Sequence, residues 1–202
     1  MPKGMTKRRP QTRARLLEAA TEVFAERGFH GTSIEDICQH AGYTRGAFYS
    51  NFGSKDELLL VLFDANSERV LDRLRAVELP EGDTDVFAAA VAAAATPPDD
   101  DRTWFLITTE FTLYAVRNPR AAAALNERDA RLRTSLAELL GELYTRAGAT
   151  PAVDLEDLAR LVVAVVEGAR AQSHLEPDAL PPGRLEQQFL PTVLRALAAP
   201  RR

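Results

Sequence analysis

The stretch TSIEDICQHAGYTRGAFYSNFGSKDEL, Thr32 to Leu58, carries a succession of helix starts and stops that decides how the chain folds. Thr32 offers a side-chain oxygen to a helix start, and Glu35 three residues on completes a capping box. Ile34, Ile37, Cys38 and Ala41 recur at i, i+3, i+4 and i+7, one apolar stripe on a two-turn helix. Gly42 stands where the chain needs a left-handed residue in order to stop. Thr44 then caps a second short helix, in which Ala47, Phe48 and Phe52 face inward. Arg45, Gly46, Tyr49 and Ser50 are left on the outward side. A helix, a glycine turn and a second helix with a basic, polar outer face make a helix-turn-helix, whose second helix can enter a DNA major groove.

Working outward, a helix over about Thr12–Arg27 buries Leu16, Leu17, Ala20, Val23 and Phe24 and ends at Gly28. Its task is to brace the two helices that follow. Residues 1–11 are polar and basic and carry two prolines, which predicts a flexible arm. The arm either touches phosphates and a neighbouring minor groove or is a disordered terminus. On the other side, Ser54 caps a fourth helix with Glu57 in another capping box. Leu58, Leu59, Val61, Leu62, Phe63, Val70, Leu71 and Leu74 carry it to about Val77, roughly 35 Å at 1.5 Å per residue. Leu79-Pro80-Glu81-Gly82-Asp83 breaks the chain. Five further helices follow: Thr84–Ala95, Asp101–Arg117, Pro119–Ala147, Asp154–Ser173 and Arg184–Ala198. Pro97-Pro98, Asn118-Pro119, Gly148 to Pro151 and Glu176 to Gly183 punctuate them. Asn118 before Pro119 is a cap followed by proline at the first helical position. The expected fold is therefore all-α, with about nine helices. A three-helix head over 12–53 precedes a helical body over 54–202, and the helix over 54–77 connects them.

The chain of 202 residues is 46% hydrophobic, enough to bury a real core. Its formal net charge of −4 conceals an uneven spread. Through Lys55 there are nine Lys/Arg against five Asp/Glu, while the remainder is strongly acidic. The basic end is the expected phosphate footprint, and the acidic remainder should stay off DNA. One cysteine excludes an internal disulfide framework, and Cys38 on the apolar stripe reads as a buried structural thiol. No apolar run approaches the ~20 residues of a membrane span, and the basic start lacks the apolar segment of a secretory signal. A cytoplasmic protein without a membrane partner is expected. His30, His40 and His174 form no metal-ligand spacing with Cys38 or with paired acids. Without a nucleophile elbow or a phosphate loop, no enzyme, cofactor or metal is expected.

The run YTRGAFYSNFGSKDELL, with the helices before it, resembles the DNA-binding domain of TetR-type transcriptional regulators. The features that carry the resemblance are Gly42 in the turn, Gly46 then Phe48-Tyr49 in the recognition helix, Phe52 closing it, and Lys55 with Leu58 opening the next helix. The resemblance covers roughly Thr12 to Phe63; Asn51 stands where the family more often has His or Tyr. It implies a recognition helix in which Arg45 bonds guanine O6 and N7 as a pair. Gly46 admits a close approach to the groove, Thr44 reaches a base edge or phosphate, and Tyr43, Tyr49 and Asn51 reach phosphates. Ser33 and Lys55 lie at helix starts, where free backbone N–H groups attract phosphate.

One such module contacts too few base pairs for specific binding, so two copies on a two-fold axis are expected. Leu158, Val162, Val165 and Ala169 on one late helix, and Phe189 and Val193 on the last, are the expected faces of a four-helix dimer interface of the kind usual in this family. The same stripes can also pack inside one monomer. The middle of the chain is expected to hold an effector pocket, with Trp104, Thr108, Phe111 and Tyr114 as its candidate lining. An aromatic stripe at that spacing is equally a core. Glu110 and Glu167 are carboxylates within apolar helices, expected to be exposed or paired. The resemblance thus implies a homodimeric, ligand-responsive regulator: a repressor on a palindromic double-stranded DNA operator, released by a small-molecule effector. An activator, and a small-molecule-binding protein or enzyme that uses only the helical body, are the competing readings.

Overall fold

The computed structural model describes residues 5–78 and 85–200. Among them are nine helices: α1 (Met5–Gly31), α2 (Ile34–Ala41), α3 (Arg45–Tyr49), α4 (Lys55–Arg75), α5 (Val86–Ala94), α6 (Asp101–Arg117), α7 (Pro119–Arg146), α8 (Leu155–Leu175) and α9 (Arg184–Ala196). A short antiparallel pair, β1 (Ala149–Pro151) with β2 (Ala198–Pro200), joins Thr150 to Ala199 in register. The fold is all-α apart from this clip. Nothing in the sequence announces it, because Gly148 to Pro151 reads as punctuation alone.

The contacts group the described residues into two compact units. The first takes the chain up to Asn66 together with Arg102–Arg128, and the second takes Ser67–Asp101 and Asp129 onward. This division follows a different line from the expected boundary after residue 53, because α6 packs with the head. The first core contains Leu16, Phe24, Phe29, Ile37, Phe48, Phe52, Leu58, Phe63, Ile107 and Phe111, all 3% exposed or less. The second contains Phe87, Leu140, Tyr144, Leu158, Leu190 and Leu194. Tyr144 is fully buried, and its hydroxyl donates to the Leu194 carbonyl at 2.8 Å.

Several local expectations shift by a residue or more. Helix α1 begins at Met5, so residues 5–11 are helical and not the predicted arm. Arg9 Nη2 donates to the Ser50 carbonyl at 3.1 Å, and Arg13 Nη1 to that of Asn51 at 3.5 Å. Two cations thus meet the carbonyl end of α3, where the helix dipole favours them. Residues 1–4 of the predicted arm, and the linker Leu79 to Asp83, lie outside the described residues.

The α2 cap is Ser33 with Asp36, one residue on from the predicted Thr32 and Glu35. Thr32 is instead buried, with its hydroxyl donating to the Gly28 carbonyl at 2.7 Å. At α4, Ser54 Oγ accepts from the Glu57 N–H, but the Glu57 carboxylate reaches back to the Gly53 N–H and not to that of Ser54. Other signals stand where they were read. Gly42 has φ 72 and closes α2, Gly28 has φ 76 and breaks α1, and Asn118 Oδ1 accepts from the N–H groups of Arg120 and Ala121.

Candidate nucleic-acid interface

Helix α3 is only five residues long, so its placement depends on its ends and on its inner face. Thr44 Oγ1 accepts from the Ala47 N–H at 3.3 Å, which satisfies one of the orphan donors of the first turn. Phe48 is fully buried and Phe52 is 1% exposed, their rings 5.7 Å apart. Arg13 lies 4.7 Å from the Phe52 ring centroid. With the aromatic side inward, Thr44, Arg45, Gly46, Tyr49 and Ser50 are all exposed.

Arg45 has two partners on this face. Its guanidinium is ion-paired with Glu35 of α2, and Nη2 lies 3.4 Å from the Tyr49 hydroxyl. The Tyr49 hydrogen bond, followed by the Glu35 charge, pushes the Arg45 pKa above the ordinary arginine value, so the group stays cationic. Gly46 has no left-handed φ, and a Cβ there would meet only Thr44 Oγ1 at 3.7 Å. Nothing inside the protein requires glycine at this position.

Ser33, Asn51, Tyr43 and Lys55, also predicted to face DNA, are occupied within the head. Ser33 donates its N–H to Asp36 Oδ2 at 2.8 Å and its hydroxyl to the same oxygen at 2.6 Å. These bonds hold the Asp36 carboxyl below its usual range, and they place a carboxylate where a phosphate was expected. Asn51 Nδ2 donates to the Ala47 carbonyl at 2.8 Å, so its amide is turned toward its own helix. Tyr43 is half-buried against the core of the head. Lys55 is the clearest departure. Its ammonium donates to the Phe29 and Thr32 carbonyls at 2.6 Å each and lies 4.3 Å from the Phe29 ring, and burial lowers its pKa. Sequence reasoning gave Glu35 to the α2 cap and did not single out Asp36; Glu35 instead pairs with Arg45, and Asp36 takes the cap.

Two stretches of the chain match family descriptions. Residues 16–62 match the model of bacterial regulatory proteins of the tetR family, and residues 84–198 match that of the C-terminal part of BetI-type transcriptional repressors. The chain belongs to the TetR family of transcriptional regulators. UidR of Escherichia coli strain K12, an HTH-type transcriptional regulator, is 27% identical over 167 residues, covering 82% of this chain and 83% of the relative. The solved structure of Salmonella enterica GusR aligns with a TM-score of 0.72 at 28% identity, covering 93% of this chain and 95% of that one. A transcriptional regulator from Saccharomonospora viridis, solved in complex with choline, shares the fold at 21% identity and a TM-score of 0.69, covering 95% and 100% of the two chains.

A TetR-family regulator needs no catalytic centre, and among the described residues no group of three His, Cys, Asp or Glu could hold a metal ion. No helix is long and apolar enough to cross a membrane among them. His40 is paired with Glu22, and His30 packs edge-on against Phe29 and Tyr114. Cys38 is a buried free thiol, its pKa raised chiefly by that burial.

The predicted effector lining is largely core. Phe111 is fully buried between the rings of Phe29, Phe63 and Tyr114, and the Thr108 hydroxyl donates to the Trp104 carbonyl of its own helix at 2.7 Å. Trp104 is half-buried on the same core. Of the four, Tyr114 lines a cleft of about 210 Å³, together with Arg27, His30, Gly31, Glu110, Leu113 and Arg117. Among the predicted dimer residues, Leu158 and Ala169 are buried within the chain, at 1% and 4% exposure. Val162 and Val165 are half-buried against the second core, and Val193 is also half-buried. Phe189 of α9 is 50% exposed, and Leu161 of α8 is 43% exposed.

Proposed function

We propose that the chain is a homodimeric repressor that binds a palindromic operator through two copies of α3 and is released by a small-molecule effector. The observation that carries this reading is the outward face of α3. Thr44, Arg45 and Tyr49 are polar and exposed on a helix fixed from behind by Phe48 and Phe52. Gly46 leaves room at the centre of that face that the protein itself does not use. Arg45 is the reading residue, able to bond guanine O6 and N7 as a pair once Glu35 gives way. Tyr49, Thr44 and Tyr43 are positioning contacts to phosphate or sugar, and the backbone at Lys55 adds a helix N-terminus.

Dimerisation follows from the small reach of one module. The exposed Leu161 and Phe189, with Val162, Val165 and Val193 beside them, form the pairing face, while Leu158 and Ala169 support it from inside. The description of the matching C-terminal model favours repression over activation. Choline occupies the S. viridis protein of the same fold, and at 21% identity it does not select an effector for this chain.

The test is selection of duplexes from a random pool by the purified protein at about 0.15 M salt. Enrichment of an inverted repeat with half-sites about one helical turn, ~34 Å, apart is the expected result. A pool without enrichment would sink the reading.

A further inference from the structure

We propose that Glu110 is the positioning residue through which α6 holds the α1–α2 corner of the head, and with it the DNA-binding competence of α3. The proposal rests on the reading of α3 as the operator contact. At Gly28 the backbone turns to φ 76 and ψ 165, which interrupts the α1 hydrogen-bond ladder. The next N–H, that of Phe29, loses its intrahelical acceptor and donates instead to Glu110 Oε2 at 2.6 Å. A carboxylate acceptor makes this a charge-assisted bond. Gly28 suits the site twice over: it takes the left-handed φ, and any Cβ there would lie 2.5 Å from both Glu110 carboxylate oxygens.

The same corner is gripped from two other directions. Lys55, at the start of α4, donates to the Phe29 and Thr32 carbonyls, and the Thr32 hydroxyl donates to the Gly28 carbonyl. The Phe29 ring packs edge-on against Phe111, one residue beyond Glu110, with centroids 5.3 Å apart. Helix α2 starts at Ile34, two residues past the second Lys55 acceptor, and α2 positions α3 through the Gly42 turn. Moving α6 by little more than 1 Å carries the Glu110 bond beyond hydrogen-bonding distance. That frees the peptide on which the α2 start depends. Glu110 also forms part of the wall of the 210 Å³ cleft, so solvent lies beside the latch.

The experiment is residue-resolved amide exchange on the full chain, with and without the selected operator duplex, for the wild type, Glu110→Ala and Glu110→Gln. In the free protein, Glu110→Ala is expected to speed exchange of the Phe29 amide by about tenfold or more. Glu110→Gln keeps an acceptor oxygen and should restore most of the protection. Operator binding by the wild type should alter exchange in α6, since coupling between two sites is reciprocal. Glu110→Ala should bind the duplex several-fold more weakly and, at saturating duplex, lose that α6 response. A merely structural role would leave the response in place. Phe29 exchange within twofold of wild type in the Ala variant, or an undiminished α6 response, overturns the proposal. If the wild type retains no duplex at all, the operator reading has failed instead. The free-protein Phe29 amide then still reports on the latch by itself. Exchange at Leu158, in the other core, serves as the control for global unfolding.

Discussion

The guanidinium of Arg45, the first residue of α3, is ion-paired with the carboxylate of Glu35 on α2. Both side chains are more than half exposed, and water screens such a pair. The pair is therefore cheap to break, and on the proposed reading Glu35 gives way when a guanine edge is offered. Arg45→Ala is expected to weaken operator binding about tenfold or more while changing random-duplex binding far less. Glu35→Gln removes the competing acid and should tighten both by about two- to fivefold. Fluorescence anisotropy on the two duplexes separates these outcomes; equal losses on both for Arg45→Ala would refute base readout.

Lys55 leads to a different prediction from the one its sequence position suggests. A lysine at a helix start beside a recognition helix reads as a phosphate contact, and its removal would lower the salt slope of binding by about one ion. Its ammonium instead bonds two carbonyls at 2.6 Å. Lys55→Ala should cost about 2 kcal/mol of stability in urea unfolding, through the lost charged hydrogen bonds. It should leave the salt slope nearly unchanged. A slope reduced by a full ion with stability intact would restore the phosphate assignment.

These two residues mark where sequence reading stops. Helix positions came through almost intact: α6 runs from Asp101 to Arg117 as expected, and the Gly28, Gly42 and Asn118 signals all operate. Such signals are local, since a cap or a left-handed glycine acts within four residues. The direction of a long side chain is not local. Lys55 turns toward Phe29 because α1 breaks there, 26 residues earlier in the chain. Phe111 is core and not pocket because Phe29 and Phe63 close over it, and spacing along α6 alone could not say so. The β1–β2 clip likewise depends on residues 49 apart in sequence.

The α2 cap yields an acid-stability prediction. Hydrogen bonds from Ser33 depress the Asp36 pKa below the ordinary aspartate value. A depressed acid contributes stability above its unfolded pKa, and that contribution is lost as pH falls through the folded value. Ser33→Ala should cost about 1 kcal/mol at pH 7. It should also flatten the loss of stability below about pH 4, because the Asp36 shift disappears with its cause. Urea midpoints at pH 7 and pH 3 measure both effects. An acid limb as steep as wild type would show that Asp36 is not responsible for it.

Tyr144 provides the alkaline counterpart. It is fully buried, donates to the Leu194 carbonyl, and burial raises its pKa above 10.0. The unfolded chain releases the phenol proton first, so this group costs stability as pH rises from its unfolded pKa toward the folded value. Tyr144→Phe should lose about 1 kcal/mol at pH 8, by leaving the Leu194 carbonyl unmet. The variant should then decline less than wild type above pH 10. Parallel declines in the two proteins would place the alkaline sensitivity elsewhere.

Dimerisation should be separable from folding, because the two faces of α8 differ in burial. Leu158 is 1% exposed and belongs to the second core, whereas Leu161 is 43% exposed, as is half of Phe189 on α9. Leu158→Ala removes buried volume and should lose about 2–5 kcal/mol of stability. Leu161→Glu and Phe189→Glu place charge on surfaces that water already reaches, so each should change stability little. In a pairing face, however, the same charge would be desolvated without a partner, at a cost of several kcal/mol. The glutamate variants should therefore sediment as folded monomers at micromolar concentration and lose operator affinity steeply, since one head engages one half-site. Folded dimers in both variants would remove Leu161 and Phe189 from the interface and return the apolar stripe of α8 to the interior of the single chain.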